Sequence, residues 1–136
     1  MKILVCGGRD YGFRPKGCPP ESARSYDERA RRERFMLDET LSDIHRTRGP
    51  FTTLIHGGAP GADALAASWA LANGLSILSF VADWKTHGRA AGPIRNQQMI
   101  EETPDLVIAF RGGAGTADMV RRARDVGIKL LEVEQS

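Results

Sequence analysis

The sequence predicts an open, doubly wound α/β fold: a single domain with one parallel sheet of about five strands flanked by helices. Three observations predict it. Short apolar runs recur at 3–6, 53–56, 77–81, 106–110 and 129–133, and most are continuous rather than alternating. Continuous Val/Ile/Leu-rich runs suit strands covered on both faces, as parallel strands are. Helical patterns fill the gaps, and parallel neighbours need such crossovers. Glycine clusters follow the runs, where strands give way to helices. At 136 residues, 41% apolar and 26% charged, the chain suits one compact domain over 1–136.

The elements follow in order. The first strand, 3–6, ends at Cys6, which reads as a small buried residue. Residues 11–24 break the pattern with Pro15, Pro19 and Pro20, two glycines and no periodicity. A loop of this length is either a functional lid or a flexible insert, and Arg14, Lys16 and Arg24 suit both. Cys18, within it, reads as a bystander thiol. A helix is predicted over 26–48, with Ser25 and Glu28 as a capping box and Leu37, Leu41 and Ile44 as its buried stripe. Arg29, Arg31, Arg32 and Arg34 alternate with acids and read as a solvated face. After the second strand, Pro60 precedes a helix containing Leu65, Ala66 and Trp69, which stops at Asn73 and Gly74. Pro93 starts the next helix and Pro104 follows its end. The last helix spans 115–126, with Val120 and Ala123 inward and Gly127 as the stop.

Composition excludes several classes. Nineteen Lys and Arg against 17 Asp and Glu give a net charge of +2, which argues against a nucleic-acid partner bound through bulk charge. No apolar run approaches the roughly 20 residues that span a bilayer. The opening MKILVCGGRD does not read as a signal peptide, so the expected location is the cytoplasm, away from membranes. Cys6 and Cys18 are too far apart for a CxxC pair, and His45, His56 and His87 lack metal-ligand spacing. No metal and no cofactor are expected.

Glycine carries the functional signal, at 15 of 136 residues against a usual share of roughly 7%. Ten of the 15 fall into four clusters: Gly7 and Gly8; Gly57, Gly58 and Gly61; Gly88 and Gly92; Gly112, Gly113 and Gly115. Each follows a predicted strand. Ligands of open parallel sheets bind outside the carboxyl ends of the strands, so the clusters are expected to converge on that edge. Glycine there lets backbone N–H groups approach an anion, and the helices after the second and fourth strands offer favourable dipole ends. HGGAPGAD (56–63) and RGGAGTAD (111–118) are the strongest loops, with the Thr116 hydroxyl as an added donor. Neither fits GxxxxGK[ST], and no GxGxxG follows the first strand. Phosphate or nucleotide binding is one reading; turns that need glycine for geometry alone are the other.

Polar candidates cluster after the third strand. Arg95 suits a bidentate contact with phosphate, and Asn96 is its neighbour. Trp84 suits stacking on a base or packing at the core edge. Asp83 suits a ribose hydroxyl or a loop cap, and His56 a ligand contact or a structural hydrogen bond. Asp63 lies in the first turn of its helix and complements the dipole first. Asp105 reads as structural. Arg9, Arg95 and Arg111 concentrate positive charge near the glycines.

GGRD, HGGAPGADALA, ADWKTHGRAAGPIRNQQM and DLVIAFRGGAGTADMVRRA together resemble the SLOG superfamily of Rossmann-like proteins, which includes the Lonely-guy phosphoribohydrolases and the DprA/Smf DNA-processing proteins. The resemblance is strongest to its small YspA-like, cpYpsA-related branch and covers nearly the whole chain outside the Pro-rich insert. In the Lonely-guy enzymes a PGGxGTxxE-like loop binds a nucleotide phosphate, while a glutamate there and an arginine on the preceding helix act on the N-glycosidic bond. Carried over, Gly112, Gly113, Gly115 and Thr116 match the phosphate loop, Arg95 matches the helix arginine, and Asp118 lies nearest the catalytic carboxylate. Arg111 replaces the leading proline, and the acid is an aspartate, one methylene shorter than glutamate. The resemblance thus implies a domain that binds a nucleotide or nucleotide-derived ligand as a sensor. A nucleotide N-glycosidase with Asp118 and Arg95 as its catalytic pair is the alternative. A DprA-like single-strand binder is a third, against which the +2 charge and 7% aromatic content count. Related enzymes pair, so a homodimer is also implied.

Overall fold

The structure, a computed structural model, describes residues 1–133; the last three residues of the predicted domain lie outside the described residues. Among the described residues, five strands form one sheet: β1 (Lys2–Cys6), β2 (Thr53–His56), β3 (Ser76–Ser79), β4 (Leu106–Ala109) and β5 (Leu130–Glu132). Every pairing is parallel, and the order is β3-β2-β1-β4-β5. Helices α1 (Ala23–Arg48), α2 (Ala62–Ala72), the single turn α3 (Trp84–His87), α4 (Ala91–Glu101) and α5 (Ala114–Asp125) make the crossovers. This is the Rossmann-like, doubly wound α/β fold that the sequence predicts.

The alternation of side chains along β1 explains why both faces are covered. Ile3 and Val5 point into one layer, where Leu37 and Leu41 of α1 and Ala66 and Trp69 of α2 meet Leu54 and Ile108 of the sheet. Leu4 and Cys6 point into the other, against Met99 and Ile100 of α4 and Met119, Val120 and Ala123 of α5. A central parallel strand is buried on both sides, so its sequence is a continuous apolar run.

The edges differ from the sequence expectation. β3 ends at Ser79 rather than at 81, and Ile77 and Val81 are exposed. β3 pairs only with β2, so its apolar run is half-covered, not buried on both faces. The capping box at Ser25 and Glu28 does not form. A 3-10 turn at Pro20–Ser22 winds the chain into α1 earlier, at Ala23, and no side chain caps that end. The stop of α2 is as expected: Asn73 and then Gly74, at φ +75°. Among the described residues, no helix is long and apolar enough to cross a membrane.

Residues 11–24 are not uniform. Tyr11 is buried in the α1/α2 layer, its ring 5.3 Å from that of Phe110. Gly12 is pinned on both sides: its N–H donates to Glu33 at 2.9 Å, and its carbonyl accepts from Arg34 at 2.7 Å. Arg29 donates to the carbonyls of Asp10 and Phe13. The arginine run of α1 is therefore no plain solvated face, because two of its members tie down the start of the insert.

Leu4→Ala should cost about 2–5 kcal/mol, as for other fully buried leucines. Equilibrium urea unfolding would show it as a lower midpoint at unchanged slope.

Candidate functional site

From β1 the crossovers run outward in both directions, which leaves a crevice beyond the carboxyl ends of β1 and β4. A cavity of about 470 Å³ occupies it. Its walls are the turn after β1 (Gly7, Gly8, Arg9 and Asp10), Ala59 and Asp63, Arg95 and Asn96 of α4, and the 111–116 loop, with Pro15 and Lys16 of the insert at one side. The two turns are laced together: Gly8 N–H donates to the Arg111 carbonyl at 2.7 Å, and Phe110 N–H to that of Cys6 at 2.9 Å. Burial pushes the Cys6 thiol well above its ordinary range, so it stays protonated.

The 111–116 loop opens α5. Helix geometry leaves the first amides of α5 without intrahelical partners, and no side chain caps them. This uncapped turn, from Ala114 to Thr116, lines the cavity. Its glycines divide into two kinds. A Cβ on Gly112 would collide with the Thr116 side chain and the Gly8 nitrogen. A Cβ on Gly113 or Gly115 would meet nothing within 4 Å.

Asn96 of α4 is buried and stitches this turn in place. Its Nδ2 donates to the Gly115 carbonyl at 3.1 Å and to Asp118 at 3.0 Å. Arg95 donates to the Gly57 carbonyl and, through Nε, to Asn96 Oδ1 at 3.2 Å. Its guanidinium is therefore aimed before any ligand arrives. Asp63 is buried, and its Oδ2 accepts from the amides of Gly57 at 2.9 Å and Ala59 at 3.3 Å. Burial pushes its carboxyl from the ordinary 3.8 up to about 6, against the pull of those amides, Arg95 and Arg9.

Other sequence candidates serve the architecture. Gly57, Gly58 and Gly61 are absent from the cavity wall. Gly61, at φ +79°, packs so close that a Cβ would strike the Gly8 carbonyl, and Ala62 N–H donates to that same carbonyl at 3.2 Å. The dipole end of α2 is thus answered by the protein's own backbone, unlike that of α5. His56 is buried, with Nδ1 accepting from Gly58 N–H and Nε2 paired with Ser79 Oγ at 2.8 Å. Burial lowers its pKa, in keeping with a neutral structural ring. Asp83 caps α3 through Thr86 N–H. Trp84 is half-exposed, with the Arg9 guanidinium 6.0 Å from its ring centre. Neither Asp83 nor Trp84 lines the cavity.

Asp118 is engaged elsewhere. Arg122 holds it at 2.8 Å, and Arg121 and Asn96 also bond it. Partial burial pushes its carboxyl up, but these partners outweigh it and hold the pKa below the ordinary value. It does not line the cavity. Counted from Thr116, the glutamate of PGGxGTxxE falls on Met119, which is fully buried under the sheet.

Sequence reasoning missed Glu33. It is 2% exposed, accepts from Arg111 Nε at 2.6 Å and Nη2 at 3.1 Å, and lies 3.2 Å from Arg29. Asp10 also contacts Arg111, at 3.3 Å. Burial raises the Glu33 pKa, but Arg111, the Gly12 amide and Arg29 outweigh it and hold it below the ordinary range. The charge of Arg111 is therefore already matched by the protein. A signal for Glu33 existed: the buried residues of α1 are Ala30, Glu33, Leu37, Leu41 and Ile44, one helical stripe that includes a charge.

A parallel sheet with a glycine-walled crevice at its switch point defines the class: a Rossmann-like, doubly wound α/β domain. The chain belongs to the YspA, cpYpsA-related SLOG family (YAcAr), which it matches over residues 1–87. That stretch contains GGRD and HGGAPGAD and stops before the 111–116 loop. A curated relative, the Gene 61 protein of Mycobacterium phage D29, is 34% identical over 102 residues, covering 69% of this chain and 80% of that protein. No solved structure matches the chain. Membership of the SLOG family is consistent with a nucleotide-related ligand-binding role.

Two outcomes follow. Between about pH 4 and 6 the folded state keeps a proton on Asp63 that the unfolded chain has released, so this group makes stability rise as pH falls through that window. The span is about 3 kcal/mol at most, and urea midpoints of wild type and Asp63→Asn across pH 4–7 should diverge accordingly, with the variant flatter. Glu33→Ala leaves Arg29 and Arg111 with only the more exposed Asp10 as counter-charge and should cost up to about 3–5 kcal/mol, read by the same unfolding method at pH 7.

Proposed function

We propose that the chain binds the phosphate of a nucleotide or nucleotide-derived ligand in the β1/β4 crevice, as a sensor or ligand-binding domain. One observation carries the reading. Gly113 and Gly115 have open space where a Cβ would stand, at the uncapped start of α5. Gly115 lies inside the helix, where glycine costs up to about 1 kcal/mol relative to alanine, and packing asks for glycine at neither position. Bare backbone there leaves room for an anion to reach the amides of the first turn. Thr116 adds a hydroxyl, while Arg9, Lys16 and Arg95 supply positive charge from the surrounding walls.

Hydrolysis of an N-glycosidic bond is second. Its carboxylate would be Asp118, which is engaged by Asn96, Arg121 and Arg122 and does not line the cavity. Binding needs no carboxylate and uses only groups that do line it.

Titration calorimetry with a panel of nucleoside monophosphates tests the reading. Gly115→Leu should match or exceed wild type in stability, by up to about 1 kcal/mol, yet bind the best nucleotide at least tenfold more weakly. Unchanged affinity in Gly115→Leu, or no binding by wild type to any of the panel, would overturn it.

A further inference from the structure

We infer that the groove between Phe13 and Pro60 is the seat of the ligand's nucleobase, and that Phe13 is the residue that stacks on it. This rests on the phosphate reading above. The groove is a second opening of about 460 Å³, with Phe13, Pro60 and Ala64 as apolar wall and Arg14, its charge answered by Asp27, beside them. Arg9, Asp10 and Lys16 line both this groove and the phosphate cavity. A molecule anchored at the start of α5 can therefore continue past two cations onto apolar surface. A phosphate joined to a flat, uncharged ring has that distribution of charge.

The position of Phe13 is built. Its side chain is 44% exposed, yet its backbone is among the most firmly tied in the insert. Its N–H donates to the Asp10 carbonyl at 3.0 Å, and its carbonyl accepts from Arg29 at 2.7 Å. The preceding Gly12 is locked by Glu33 and Arg34, at φ +80°, where a Cβ would collide with Leu65. Three charged side chains of α1 thus hold the backbone that carries an aromatic ring at the protein surface, and a fixed backbone leaves less freedom to lose on binding. Stacking on an aromatic side chain is sequence-tolerant, because every base has a π-face.

Calorimetry with wild type, Phe13→Ala and Phe13→Trp against AMP, ribose 5-phosphate and inorganic phosphate decides it. Wild type should bind AMP at least tenfold more tightly than ribose 5-phosphate. Phe13→Ala should lose that advantage and leave ribose 5-phosphate unchanged. Phe13→Trp should restore it, and its added fluorescence should change with AMP but not with ribose 5-phosphate. Equal binding of AMP and ribose 5-phosphate by wild type overturns the base seat and leaves the phosphate reading standing. So does an equal loss of both ligands in Phe13→Ala, or no loss of either. If wild type binds none of the three probes, the phosphate reading falls and this inference falls with it.

Discussion

The crowding of three turns at one end of β1 governs this structure. β1 pairs with β2 on one side and β4 on the other, so the chain leaves three neighbouring strands at nearly the same place. The Gly8 carbonyl accepts from Ala62, and the Gly8 N–H donates to Arg111. One residue therefore sits between both flanking turns. A Cβ at Gly7 would strike Ala62, and one at Gly61 or Gly112 would strike the Gly8 backbone. Most of the glycine signal in the sequence is thus a packing demand. The distinction matters, because Gly113 and Gly115 are left as crevice glycines that neither close packing nor a positive φ explains.

The same crowding makes Glu33 necessary. Arg111 stands at the head of the last turn, where the partly exposed Asp10 meets its guanidinium only at 3.3 Å. Glu33 supplies a closer partner from α1, in a buried two-pronged pair of the kind that fixes geometry more than it adds stability. Because Glu33 also takes the Gly12 amide, the pair fastens the insert and the 111–116 loop to one carboxylate. Removing it would loosen both walls of the crevice together.

The fold was legible because parallel strands write their burial directly into the sequence. ILVC and LVIA are apolar without interruption, and each is fully covered. Residue type and position at the strand ends were enough to bring the 112–116 loop and Arg95 to the crevice wall. His56, Gly57 and Gly61 looked like ligand contacts because a glycine-rich turn reads the same whether it faces a ligand or another turn. The three-dimensional packing tells how each is used: Gly61 abuts Gly8, Gly57 abuts Arg95, and His56 bonds Gly58 and Ser79. Glu33 was hidden by its neighbours: among alternating charges, a buried acid is told from a solvated one only by extending the apolar stripe backward through Ala30. Phe13 was hidden in a segment with no periodicity, because half of its backbone anchoring comes from Arg29 of α1 rather than from its own neighbours.

Asp63 gives the crevice one further property. It is the buried carboxylate in a cavity that Arg9, Lys16, Arg95 and Arg111 also line, together with the more exposed Asp10, and burial has already moved its pKa to about 6. An anion entering that cavity raises the pKa again, because it opposes the charged form of the acid. Linkage is reciprocal, so protonation of Asp63 strengthens anion binding by the same factor. The acid need not touch the anion for this to hold, since the effect passes through space and through Arg95, whose charge Asp63 partly offsets. The loop that the acid secures, through the amides of Gly57 and Ala59, also presents the carbonyl that aims Arg95. One carboxylate therefore sets both the direction of the cation and the net charge it offers, and proton uptake changes the second while a neutral acid can still accept from the same two amides.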